Sequence, residues 1–181
     1  SRIYTMTKKL HIDTLCVQAG YNPTKGEPRQ VPIIQSTTFK YDTSEQMGKL
    51  FDLEENGYFY TRLQNPTNDT TAAQIAAMEG GVAAMLTSSG QAANFFACFN
   101  ICQAGDHMIT TTSIYGGTYN LFGVTFPKMG IEITFIDQDA SDEEWAAAFR
   151  PNTKLVFGET LSNPNVRILD IERIANIAHA H

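Results

Sequence analysis

The sequence predicts an α/β fold with a mostly parallel sheet and flanking helices. From residue 65 onward, short apolar runs alternate with helix-like stretches of about ten residues, the pattern of successive βα units. The breaks between them carry glycine after helices and Ser, Asp or Asn before them, the residues that stop and start helices. The 181 residues are 43% hydrophobic and 18% charged, enough to bury a sizeable core and unlike a disordered chain.

Residues 1–60 read as an extended amino-terminal arm and an oligomer contact. They are loop-like, as in Asn22-Pro23-Thr24-Lys25-Gly26-Glu27-Pro28, with one short helix expected at 44–53. Residues 61–181 read as the first part of a large α/β domain. Asn65-Pro66 opens a helix, proline being tolerated in the first turn, and Gly80-Gly81 ends its alanine-rich continuation. Residues 82–86 are an apolar run expected as a strand, followed by a Thr87-Ser88-Ser89-Gly90 turn and a helix over 91–102. A strand at 107–111, a turn at 113–117, a helix over 118–126 and a strand at 131–136 follow. Ser141-Asp142-Glu143-Glu144 is a capping box that opens the next helix. A strand at 154–158, a Ser162-Asn163-Pro164-Asn165 loop and a helix capped by Asp170 complete the pattern. The chain stops in the middle of this βα repeat, as the first portion of a larger domain would.

Net charge is −6, and there is no Lys or Arg between Arg62 and Lys128. Such a chain is a poor partner for nucleic acid or anionic membranes, and it has no apolar run of about 18 residues to span a bilayer. An anion bound by the central stretch must be held by backbone N–H groups, by helix termini, or by Arg62 at its edge. Three cysteines, an odd number without framework spacing, fit reduced thiols in a cytoplasmic protein.

Ligands of open α/β sheets bind beyond the carboxyl ends of the strands. Ser88-Ser89-Gly90-Gln91, Tyr115-Gly116-Gly117, and Glu159 with Asn163 all fall at such ends. The Ser89-Gly90-Gln91 turn has the parts of a phosphate cradle, and equally those of a plain helix cap. Tyr60 and Arg62 stand two apart, on one side of an extended segment, where they suit a phosphate dianion or simply a packed ring beside a solvated cation. Tyr115 can lie flat on an aromatic ligand or pack at its turn. Cys98 and Cys102 share a helix face without a histidine partner and read as structural, and His179 and His181 diverge on their helix, so no metal site is expected. Neither a P-loop nor G-x-G-x-x-G nor G-x-S-x-G occurs.

Taken in order, Val17-Gln18-Ala19-Gly20-Tyr21, Tyr58-Phe59-Tyr60-Thr61-Arg62-Leu63-Gln64-Asn65-Pro66-Thr67, Glu79-Gly80-Gly81, Ser88-Ser89-Gly90-Gln91-Ala92, Ile114-Tyr115-Gly116-Gly117-Thr118 and Glu159-Thr160-Leu161-Ser162-Asn163-Pro164 resemble the Cys/Met-metabolism family of pyridoxal-phosphate enzymes. Each motif alone is weak; six in register across nearly the whole chain are specific.

The resemblance implies the aspartate-aminotransferase-like fold (fold type I), pyridoxal 5'-phosphate as cofactor, and a homotetramer with cofactor sites shared between subunits. It implies that Ser89, Gly90 and Gln91 bind the cofactor phosphate within the subunit, and that Tyr60 and Arg62 reach the phosphate of a neighbour. Tyr115 would stack on the pyridine ring and serve as an acid/base group, with Glu159 and Asn163 lining the ring's far side. Gln91, where the γ-lyases commonly have methionine, leans toward the sulfhydrylase branch. The implied reaction is γ-replacement: O-acetyl-L-homoserine plus sulfide gives L-homocysteine and acetate. The alternatives are a γ-lyase or cystathionine enzyme, or a non-catalytic assembly module. None of the seven lysines lies in the family's Ser-x-Thr-Lys motif. The resemblance therefore implies that the Schiff-base lysine belongs to a carboxy-terminal remainder of the same enzyme.

Overall fold

The computed structural model describes residues 10–181. It forms two compact units, one ending at Leu86 and the other running from Thr87 to His181.

The first unit is built on three helices: α1 (Ile12–Gln18), α2 (Ser44–Phe51) and α3 (Pro66–Glu79). The ends of α3 follow from its sequence. The Asn65 side chain accepts the Thr67 N–H at 2.9 Å, Pro66 occupies the first turn, and Gly80 closes the helix in the left-handed region at φ 68°. Helix α1 lies in a stretch expected as loop. It has only seven residues and is capped by His11, whose ring accepts the Asp13 N–H at 3.3 Å, so no usual start signal marks it. Packing on α3 supports it instead: the Gln74 side-chain amide donates to the carbonyls of Leu15 and Cys16. Gly20, at φ +84°, approaches α3 so closely that a Cβ there would lie 2.7 Å from the Gln74 backbone nitrogen.

Residues 82–86, expected as a strand, are not one. They pair with no strand among the described residues, and Val82, Met85 and Leu86 are exposed. An apolar run becomes a strand only where a partner takes up its backbone groups.

The second unit holds a three-stranded parallel sheet in the order β2-β1-β3, with β1 at His107–Thr111, β2 at Glu132–Ile136 and β3 at Thr153–Phe157. Met108 stands opposite Ile133 on one side and Leu155 on the other. All five residues of β1 are buried, as expected for a central parallel strand covered on both faces. On one face Met108 packs with Cys98 and Cys102, which belong to α4 (Gly90–Phe99) and its C-terminal extension, and with Ile114, Phe122, Phe126 and Ile131. On the other face Ile109 packs with Trp145 of α7 (Asp142–Ala148) and Ile174 of α8 (Ile171–His179). The helix expected over 118–126 is longer and composite: α5 (Gly116–Asn120), a π-helical turn (Leu121–Thr125) and α6 (Phe126–Lys128). The Ser141–Glu144 capping box is formed reciprocally, and Asp170 caps α8.

His107 pins the start of the sheet. It is fully buried, and its two ring nitrogens bond the hydroxyls of Thr153 at 2.7 Å and Thr134 at 2.8 Å, one on each flanking strand. Among the described residues no helix is long and apolar enough to cross a membrane.

Candidate active site

The carboxyl ends of β1 and β3 are neighbours, and they bring Tyr115, Glu159 and Asn163 together. After β1 the chain turns through Ser113 and Ile114, and Tyr115 stands at the cap of α5 without making a side-chain cap bond. Its backbone N–H donates to Glu159 Oε1 at 2.9 Å. The other carboxylate oxygen of Glu159 accepts the Asn163 N–H at 3.4 Å. Tyr115 is 48% exposed, and its ring folds back over Gly117, where a Cβ would stand 2.5 Å from the ring's Cε1. A glycine is required there for the ring to lie as it does. At Gly116, by contrast, a Cβ would meet nothing within 4 Å.

The Ser89-Gly90-Gln91 turn opens α4. The Ser89 hydroxyl accepts the Ala92 N–H at 3.0 Å, so it serves as a helix cap. The first N–H groups of a helix have no intrahelical acceptor, and the dipole there favours an anion. A Cβ at Gly90 would meet no atom within 4 Å, so the approach to these donors is open. Gln91 is tied to the Tyr115 side of the unit: its amide donates to Thr118 Oγ1 at 2.9 Å, and Asn94 donates to the same buried oxygen at 3.1 Å. An open N-terminal turn beside an exposed tyrosine whose backbone is anchored fits a phosphate carried on a flat aromatic ring.

Tyr60 and Arg62 belong to the first unit. Tyr60 forms an antiparallel bridge with Thr38, and the Thr61 N–H donates to the Thr37 carbonyl at 2.9 Å. The segment is not extended throughout, because the Leu63 and Gln64 N–H groups both return to the Tyr60 carbonyl and make a turn. The two side chains meet even so, with the guanidinium 5.3 Å from the Tyr60 ring centroid. They border a cavity of about 660 Å³ lined by Phe39, Met47, Phe51 and Phe59.

Arg167 carried no motif, yet it ties the three strand ends together. Its guanidinium donates to Ser113 Oγ at 3.1 Å, to both Asp137 carboxylate oxygens at 2.8 and 3.3 Å, and to Asp139. That hydrogen bonding holds the Asp137 carboxyl below the usual carboxylate range. A lone arginine in a loop has no spacing that marks it in advance. Cys98 and Cys102 are core residues, and burial pushes the Cys98 thiol up to about 12, away from reactivity.

Relatives carry the same elements. An O-acetyl-L-homoserine sulfhydrylase of Corynebacterium glutamicum is 43% identical over 168 residues, covering 92% of this chain and 38% of that protein. An L-methionine gamma-lyase of Fusobacterium nucleatum is 41% identical over 175 residues, covering 97% of this chain and 44% of the relative. The crystal structure of a protein described as an O-acetylhomoserine (thiol)-lyase from Campylobacter jejuni, which carries a pyridoxyl-lysine phosphate, superposes with a TM-score of 0.88 at 37% identity, over 95% of this chain and 42% of that one. The chain thus spans about two fifths of the length of these relatives, and its parallel sheet with flanking helices is that of the fold type I pyridoxal-phosphate enzymes. The family model for the Cys/Met metabolism PLP-dependent enzymes matches residues 13–181, and the chain belongs to that family.

Proposed function

We propose that this chain is the amino-terminal portion of a γ-replacement enzyme that converts O-acetyl-L-homoserine and sulfide into L-homocysteine and acetate. The observation that carries this reading is the 43% identity to a sulfhydrylase over nearly the whole chain. The open α4 terminus and the Tyr115 rim, tied through Gln91 and Thr118, fit that chemistry.

When bound, pyridoxal phosphate supplies the electron sink that lets the α and β positions of the amino acid lose protons while acetate leaves from Cγ. The chain's own residues then have separable tasks. The Gly90 and Gln91 N–H groups and the Ser89 hydroxyl hold the phosphate. Tyr60 and Arg62 complete the phosphate site of a neighbouring subunit, which explains how a stretch without lysine or arginine can serve a dianion. The Tyr115 ring would lie against the flat ring of the cofactor, and its hydroxyl would hold or move a proton during the reaction. Asn163 would border the far side of the cofactor ring. The reading extends to a homotetramer in the cytoplasm, with the cofactor-bearing lysine and the substrate-carboxylate arginine on a carboxy-terminal remainder of the same enzyme.

The methionine γ-lyase relative favours a second reading, elimination to a keto acid. Assaying the complete enzyme with O-acetyl-L-homoserine, with and without sulfide, separates the two. Sulfide-dependent homocysteine supports replacement. Keto acid release independent of sulfide replaces it with the lyase, and the absence of both products in a cofactor-loaded assembly points to a non-catalytic module.

A further inference from the structure

The resemblance places Glu159 along the cofactor ring, but its carboxylate is already engaged elsewhere. One oxygen accepts the Tyr115 N–H and the other the Asn163 N–H. These two residues sit on different loops, one after β1 and one after β3, and both belong to the candidate site. Tyr115 caps α5 without a side-chain bond of its own; its carbonyl accepts the Tyr119 N–H within the helix, and its N–H is held from outside by Glu159. Only a group with acceptors on both arms can take two N–H donors from opposite sides. A carboxylate does this; an amide offers one acceptor arm and one donor arm. Bonds from N–H to an ionised carboxylate are also stronger than bonds to a neutral oxygen.

We propose that Glu159 is a positioning residue: its carboxylate bridges the backbone amides of Tyr115 and Asn163 and so sets the distance between the stacking ring and the opposite wall of the site. This deepens the proposed function and rests on the reading that Tyr115 and Asn163 face the cofactor.

The bridge and its consequence are measured separately, in the complete enzyme with and without pyridoxal phosphate. Glu159→Gln keeps the size of the side chain but can accept only one of the two amides. Hydrogen-exchange mass spectrometry over peptides spanning residues 112–118 and 160–166 is expected to show the Tyr115 or Asn163 amide exchanging about tenfold faster. With cofactor bound, kcat should fall while KM moves little, and the visible circular dichroism of the bound cofactor should weaken. If Glu159→Gln does not fold, Glu159→Asp serves, because its carboxylate is one methylene short and releases one amide. Unchanged exchange at both amides in a folded variant overturns the bridge. Faster exchange with unchanged kcat and dichroism leaves a purely structural contact and overturns the positioning role. A wild-type enzyme that takes up no pyridoxal phosphate overturns the cofactor reading and the positioning role with it, while the exchange data still decide whether the carboxylate bridges.

Discussion

Replacing Gly117 by alanine should leave the fold standing and move the Tyr115 ring. The added Cβ would lie 2.5 Å from ring Cε1, 3.2 Å from Cδ1 and 3.3 Å from Cζ. Carbon atoms rest at about 3.5–4.0 Å, so the ring or the backbone must give by about 1 Å. The backbone is anchored on both sides of the glycine. Tyr115 N–H is held by Glu159, and the buried Thr118 hydroxyl receives two side-chain amides. Tyr115 is half exposed, so its side chain yields toward solvent more readily than the pinned backbone. Overpacking a closed core costs about 1–3 kcal/mol, but relief into solvent avoids most of that. The gain in helix propensity from glycine to alanine, at most about 1 kcal/mol, acts in the opposite direction. Net stability should therefore change by less than about 1 kcal/mol. Gly116→Ala gives the stability control, because it makes the same backbone change with nothing within 4 Å. Urea unfolding of both variants measures the stability, and kcat of the complete enzyme measures the ring. A 1 Å displacement of a stacking group costs on the order of a hundredfold in rate. Full kcat in Gly117→Ala would refute the placement of the ring. A loss of several kcal/mol would show that the backbone yields first.

Thr118→Val removes the acceptor shared by Gln91 and Asn94 without changing shape. It should cost about 1–3 kcal/mol in thermal unfolding, since both amides are half-buried and water recovers part of their loss. A thiol reagent under native conditions should label Cys16, which is exposed, while Cys98 and Cys102 react only on unfolding; mass spectrometry counts the adducts. Burial, reinforced by Arg150 and opposed by Glu132, lowers the His107 pKa below its ordinary value of 6.5. The folded state therefore holds this ring neutral while the unfolded chain takes up a proton. The contribution of His107 is present in full above pH 6.5 and is lost as pH falls from there through the folded-state pKa, at no more than about 1.4 kcal/mol per pH unit. Unfolding free energies from pH 7.5 to 5 should fall more steeply for the wild type than for His107→Gln.

Local chemistry marked helix ends in both units. Ser141 with Glu144, Asp170, Asn65 with Pro66, and Gly80 each act at a single helix end, and each stands where the sequence puts it. The fully buried strand His107–Thr111 stands at the bounds expected from the sequence. What failed depended on partners. Residues 82–86 have the composition of a strand but pair with no strand among the described residues. Helix α1 has a poor cap and exists through Gln74 and the close approach at Gly20. Tyr115, Glu159 and Asn163 are placed at strand ends by the sequence, and the structure brings them together there. The two-armed use of the Glu159 carboxylate could not be read from the sequence, since it joins positions 44 residues apart. Nor could the reach of Arg167 to Ser113, 54 residues away.

These two long-range contacts share an origin. Glu159 and Arg167 both follow β3, and both act on the turn after β1, one at the Tyr115 backbone and the other at the Ser113 side chain. Arg167 also holds Asp137 at the end of β2. A central strand buried on both faces presents its ligand-side turn between two neighbours, and here a single loop, residues 158–169, fixes that turn from one side. Gly158 allows this closeness, because a Cβ there would stand 2.7 Å from Leu169 and 3.5 Å from the Thr111 side chain. The Tyr115 turn is thus supplied by one strand and held by the loop after another. A change in the β3 loop that touches no ligand should reach the chemistry through Tyr115, whereas an equal change on the far side of β2 should not.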